Sequence, residues 1–186
     1  MSTIVKFHRI VKFHRLNGID AVRFVLSAAA KENSKYEITF LYSDGIEIVC
    51  TDRKRLHRAQ IPLEKGFYSV ISNKAKEVIL EKKEDDEDLK FPEYKKWFTM
   101  TDKYIEPKTT IFSDFVYAIY KFSSVKIEFL DDLQLVGIDN WRIYIPEIAD
   151  TPIWCEHQGG TACCTAIIMP FATKEYELHT VEKEIP

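Results

Sequence analysis

"IVCTDRKRLHRAQIPL", residues 48–63, is the stretch on which the fold turns. Its two flanks carry the mixed apolar and polar spacing of half-buried strands, one ending at Cys50 and the other starting at Arg55. Its centre holds five basic side chains: Arg53, Lys54, Arg55, His57 and Arg58. A cluster of that kind fits a patch for nucleic acid, the solvated tip of a hairpin, or the rim of a site.

The bulk properties narrow that choice. At 186 residues and 46% apolar composition the chain can bury a full core, as one domain or as one and a half small ones. Four cysteines without paired spacing, no apolar run of membrane-spanning length and no charged-then-apolar leader lead us to expect a reducing, cytoplasmic setting and no membrane contact. The net charge is −3, so the overall field does not draw in a polyanion, and any nucleic-acid contact has to come from local clustering.

Outward from the opening stretch, the chain reads as α+β with antiparallel connections, because the links between strands are short. Toward the N-terminus, IVKFHR occurs twice in tandem, as Ile4–Arg9 and Ile10–Arg15. Six is an even number, so either copy keeps Val5 and Phe7, or Val11 and Phe13, on one strand face, and one copy reads as spare; the alternative is a basic arm of Lys6, His8, Arg9, Lys12, His14 and Arg15 touching phosphates. From Gly18 an apolar stripe of Ile19, Val22, Phe24, Val25, Leu26 and Ala29 predicts a helix. "YEITFLY", "SDG" and "IEIVC" form a hairpin signal. Beyond the opening stretch, "FYSVI" predicts a strand, and Ser72 a cap for a helix carrying Ala75, Val78, Ile79 and Leu80. The acidic run "EKKEDDED" reads as a solvated loop, followed by the connector "FPEYKKWF". Further on, "KTTIF" predicts a strand, "FVYAIYKF" a helix, and "VKIEFL", "LQLVGID", "WRIYIPE" and "ACCTAIIMPF" four more strands.

Several of these stretches, in this order, resemble the bacterial DNA polymerase III sliding clamp, the beta subunit. Thr51, Asp52, Arg55 and Leu56 match a TD..RL signature, Pro62 and Leu63 a strand ending, and Phe67, Ser69 and Val70 the strand after it. Phe91 to Trp97 matches a connector, Phe112 to Ile138 the later half of a last domain, and "AIIMPF", Ala166 to Phe171, a closing Met-Pro strand. The resemblance implies a DNA-clamp-like α+β fold of antiparallel sheets with helices on one face. It divides the chain into a middle-domain-like unit at 1–90, a connector at 91–110, a last-domain-like half at 111–171 and a C-terminal tail at 172–186. Relative to the family the chain is shortened, in the manner of a phage-like variant, and Arg53 and Lys54 replace a nearly neutral pair.

The family likeness further implies a noncatalytic protein with an apolar cleft for short linear motifs of a DNA polymerase or another replication protein. Its residues here are Thr51, Arg55, Leu56, Ile168, Met169, Pro170 and Phe171, with Arg55 at the polar edge. Double-stranded DNA is a second implied partner, held through phosphates by Arg23, Lys31, Lys74, Lys76 and Lys121, and a homo-oligomer is expected. Two other classes compete. One is a decoy that imitates a clamp face and blocks replication; the other is a zinc protein built on Cys155, His157, Cys163 and Cys164. Neighbouring Cys163 and Cys164 would alternate faces in a strand, and the spacing is not that of a zinc knuckle, so we expect no metal and no cofactor. No nucleophile and base pair stands out for catalysis.

Overall fold

The computed structural model describes residues 3–8, 18–32, 38–84, 89–98, 104–105, 125–137, 140–146, 151–157 and 162–170. Among the described residues ten strands occur in chain order: β1 Ile4–His8, β2 Leu41–Ser43, β3 Ile48–Thr51, β4 Arg55–Ala59, β5 Gly66–Lys74, β6 Glu77–Lys82, β7 Tyr104–Ile105, β8 Trp141–Pro146, β9 Ile153–His157 and β10 Cys164–Ile168. They form one sheet in the order β1-β6-β5-β2-β3-β4-β10-β9-β8-β7, and every neighbouring pair is antiparallel. The first six strands meet the last four through the β4–β10 ladder.

Helix α1, Gly18–Ser27, lies on the inner face with Ile19, Ala21, Val22, Phe24 and Val25 buried. A short helix α2, Ile127–Asp131, and the 3₁₀ turn Asp132–Val136 that follows it add Phe129, Leu130, Leu133 and Val136 to the same core. Strands from both ends of the sheet complete it, with Leu41, Ile48, Tyr68 and Leu80 from one half and Trp141, Ile153, Ala166 and Ile168 from the other. The fold is therefore α+β in the sense expected, with α1 and α2 packed against one apolar body. The Trp141 indole N–H donates to the Leu133 and Gly137 carbonyls at 3.2 and 2.9 Å, tying the 3₁₀ turn to β8.

The outer face carries a second, smaller cluster of Val49, Leu56, Tyr94 and Ile167, with Tyr42, Phe91 and Phe98 packed against it. Here the connector crosses the sheet as a 3₁₀ turn, Tyr94–Phe98. Tyr94 donates its hydroxyl to Asp44 at 3.0 Å, and Lys95 pairs with the same carboxylate oxygen at 2.7 Å. Burial pushes the Asp44 carboxyl up, but Lys95, the Glu47 and Ile46 N–H groups and Tyr94 together hold it well below the usual carboxylate range.

Four expectations need correction. The helix expected after Ser72 is instead a hairpin, β5 turning at Ala75 and Lys76 into β6. Val78 and Leu80 are buried while Ile79 is not fully so, a period of two that places "EVIL" in a strand against β5 and β1. "VKIEFL" forms α2 rather than a strand, because Phe129, Leu130, Leu133 and Val136 share one helical stripe. "LQLVGID" begins as the 3₁₀ turn for the same reason. The acidic run starts inside β6, with Glu81 and Lys82, rather than wholly in a loop; its second half, 85–88, lies outside the described residues, as do "KTTIF", "FVYAIYKF", the second IVKFHR copy and the tail at 172–186.

Candidate functional site

The β3–β4 turn is built from side-chain bonds to its own backbone. Asp52 Oδ1 accepts the Lys54 and Arg55 N–H groups, each at 2.9 Å, while Thr51 Oγ1 donates to the Arg55 carbonyl at 2.7 Å and accepts the Arg53 N–H at 3.1 Å. Arg53 takes a left-handed backbone conformation, φ 73°, which these bonds hold. Thr51 is thus a turn-former with a buried side chain.

This turn lies beside the end of β10. In the β4–β10 register Leu56 stands opposite Ile167 and Arg55 opposite Ile168, and the Met169 N–H continues the ladder to the Lys54 carbonyl at 2.7 Å. The two segments, more than a hundred positions apart in sequence, are therefore adjacent as expected. The expected apolar floor nevertheless divides between the two faces of the sheet. Successive strand residues alternate faces, so Leu56 and Ile167 point outward while Ile168, fully buried, belongs to the inner core. Following the registers across the sheet, Thr51, Leu56, Ile167, Trp154 and Tyr144 form one row on the outer side. Met169 and Pro170 are half-buried at its edge, and Phe171 lies outside the described residues.

Arg55 corrects a second detail, since its guanidinium is committed inward rather than free at a rim. It pairs with Asp132, donates to Asp52 at 3.2 Å and to the Ser27 carbonyl at 2.6 Å, and stands 4.5 Å over the Phe129 ring. One side chain so joins β4 to α1, α2 and the 3₁₀ turn beyond it. Burial raises the Asp132 carboxyl to about 6, against the pull of Arg55.

Next to it His57 is wholly buried, stacked on Phe24 with ring centroids 4.3 Å apart. Its Nδ1 lies 2.9 Å from the Phe24 carbonyl and carries the proton there, and Nε2 has no partner among the described residues. Burial lowers its pKa to about 3, so the ring is neutral near pH 7.

Of the residues expected to meet DNA, only Arg23 lies on a helix among the described residues. Arg23 lies on α1 and Lys31 beyond its end, whereas Lys74 and Lys76 sit at the β5–β6 turn; Lys121 lies outside the described residues. Of the proposed zinc ligands, Cys155, Cys164 and His157 are buried and Cys163 is exposed. Burial pushes the Cys155 thiol up and the Cys164 thiol up to about 12. Among the described residues no three His, Cys, Asp or Glu side chains are grouped to hold a metal.

Sequence reasoning missed the aromatic cover of this site. Arg58 stacks 3.7 Å over Phe98, which meets Trp154 edge-on at 5.7 Å. The density of aromatics in "FPEYKKWF" was the available signal. Between that connector and the sheet runs an open groove of about 890 Å³, lined by Tyr42, Gly66, Phe67, Lys82 and Phe91 among others.

This architecture is that of the bacterial sliding clamps, the beta subunits of DNA polymerase III. A Helicobacter pylori beta clamp bound to a DNA ligase peptide superimposes with a TM-score of 0.56 at 12% identity, over 91% of this chain and 66% of the clamp. The Thermotoga maritima beta subunit gives 0.55 at 12% identity, over 91% and 65%. The Streptococcus pyogenes beta subunit gives 0.55 at 9% identity, over 93% and 66%. The chain therefore spans just under two thirds of the length of these clamps. No protein-family model matches the sequence, and no curated protein matches it significantly. The likeness establishes the fold. No helix among the described residues is long and apolar enough to cross a membrane.

Proposed function

We propose that this chain is a noncatalytic, clamp-like protein that receives a short linear motif of a replication protein on the outer surface where β4 and β10 meet. One observation carries the reading: the ladder that sets Leu56 against Ile167 and Lys54 against Met169, within a sliding-clamp fold. The likeness to a clamp that binds a DNA ligase peptide supports a peptide as partner. Met169 and Pro170 are the accessible apolar residues at this edge, with Leu56 and Ile167 beneath them; Thr51 shapes the turn at the end of the same outer row, and Arg55 and Ile168 hold the floor from the inner side. Burying two or three apolar side chains of a motif here contributes several kcal/mol, roughly 25 cal/mol per Å², before ordering costs, which suits a micromolar, exchangeable contact. Duplex DNA and association of several copies belong to the same reading. Arg23, Lys31, Lys74 and Lys76 would act as weak, salt-sensitive phosphate contacts.

The test uses a fluorescein-labelled DNA ligase clamp-binding peptide and fluorescence anisotropy. Wild type should bind it with micromolar affinity. Met169→Asp should weaken binding about ten-fold or more, since a half-exposed apolar contact becomes a charge. Its melting temperature should change by only a few degrees. Leu56 is unsuited to this role because, at 7% exposure, its replacement also opens the Tyr94 cluster. Failure of the wild-type chain to bind, or equal binding by Met169→Asp, would remove the cleft.

A further inference from the structure

Beside the proposed cleft two positive charges have no counter-charge among the described residues. Arg53 and Lys54 are both exposed, and neither side chain enters a hydrogen bond or ion pair among the described residues. The two carboxylates nearest in the network, Asp52 and Asp132, are both engaged by Arg55. The turn is not loose. Asp52 and Thr51 fix its backbone, and the Lys54 carbonyl accepts the Met169 N–H, so both cations stand where β10 leaves the sheet, next to the half-buried Met169 and Pro170. In a chain of net charge −3, this is a local lip of opposite sign on an apolar surface.

We infer that Arg53 and Lys54 are specificity-determining residues, selecting for the cleft a peptide segment that carries carboxylates beside its apolar anchors. The inference rests on the function proposed above and names the chemistry of its partner. Rim charges of this kind act on encounter rate and on the choice between partners more than on total affinity, and salt screens them. A nucleic-acid strand would use the cations but not the apolar residues between them and β10, whereas an acidic peptide with apolar anchors uses both.

Three synthetic peptides with identical Leu and Phe anchors, bearing two Asp, two Asn or two Lys, separate the possibilities by fluorescence anisotropy at low and high salt. Wild type should prefer the Asp peptide over the Lys peptide by roughly ten-fold at low salt, with the gap closing at high salt. The double variant Arg53→Glu, Lys54→Glu should reverse the order, and Lys54→Glu alone, which leaves the left-handed turn residue intact, should remove about half of the preference on a logarithmic scale. If the Asn peptide binds but charge makes no difference, the cleft stands and the selectivity inference falls. If no peptide binds, the cleft falls and the inference with it. A short DNA duplex bound by wild type and lost in the double variant, with peptide preference unmoved, would reassign the pair to phosphate and overturn the inference.

Discussion

At the scale of single residues, charge and burial are resolved by committing polar atoms inward. Arg55 was legible in the sequence as part of a signature but not in its role. Its partners Ser27 and Asp132 come from remote elements, which no local pattern reveals. His57 was legible only as one of five basic residues within positions 53–58, and the structure separates it from them by burying it completely. Its neutral ring, with Phe24, the Ser27 hydroxyl, Cys50 and Arg55 around it, makes stability pH dependent. The unfolded chain protonates histidine below about pH 6.5, while the folded chain resists until about 3. The contribution of His57 is therefore whole above 6.5 and is lost progressively as pH falls between those limits. From pH 7 to pH 5 the loss from this group is about 2 kcal/mol. Asp132, with its carboxyl raised, works in the opposite sense and recovers part of it. Urea unfolding at the two pH values should show His57→Leu losing less stability on acidification than wild type; equal losses would show that His57 is not the group responsible.

At the scale of elements, the sequence was readable where a single apolar period decided the matter. The stripe on α1, the hairpin of β2 and β3, and strands β4, β8 and β10 fell where the pattern put them. It misled where two periods fit one stretch. "EVIL" satisfies a helical stripe as well as a strand, and only the strands beside it, β1 and β5, choose. "KIEFL" alternates like a strand, yet Phe129 and Leu130 are held by Leu133 and Val136 one turn on. The cleft was half legible. Adjacency of Leu56 and Met169 followed from the resemblance, but which residues face outward depends on register, and that is set by the β4–β10 pairing. The IVKFHR duplication belongs at this scale too. β1 uses the first copy, with Val5 opposite Leu80 and Phe7 opposite Val78, and both pack on the core. The second copy has the same side chains six residues on, so the same ladder can be made with it. Removal of residues 4–9 should accordingly leave the melting temperature within a few degrees of wild type. Val5→Asp with Phe7→Asp should be tolerated for the same reason, and should become destabilising only when Val11→Asp and Phe13→Asp are added. A large drop from the first pair alone would show that the first copy is irreplaceable.

At the scale of the whole molecule, the two units expected from the resemblance share one sheet and one core. That arrangement predicts a single cooperative transition. Thermal unfolding followed by fluorescence, to which Trp141 and Trp154 in the later strands contribute, should coincide with the loss of far-UV circular dichroism, which reports on α1 and the entire sheet. Two separated midpoints would mean that the units are stable alone and merely lean on one another. The β4–β10 ladder has a further consequence, and it concerns time. Strands β2 to β4 can pair soon after synthesis, because their connections are short. β4 then waits with an open edge until β10, more than a hundred residues later, is made. Loop-closure entropy has to be overcome before that ladder returns any stability, so it should be a late event in folding. Until then β4 presents unpaired backbone groups to any other extended chain nearby. The same edge that completes the mature sheet is, in the nascent chain, the place most open to aggregation, and the exposed cations Arg53 and Lys54 in the turn beside it are the kind of charge that keeps such an edge soluble.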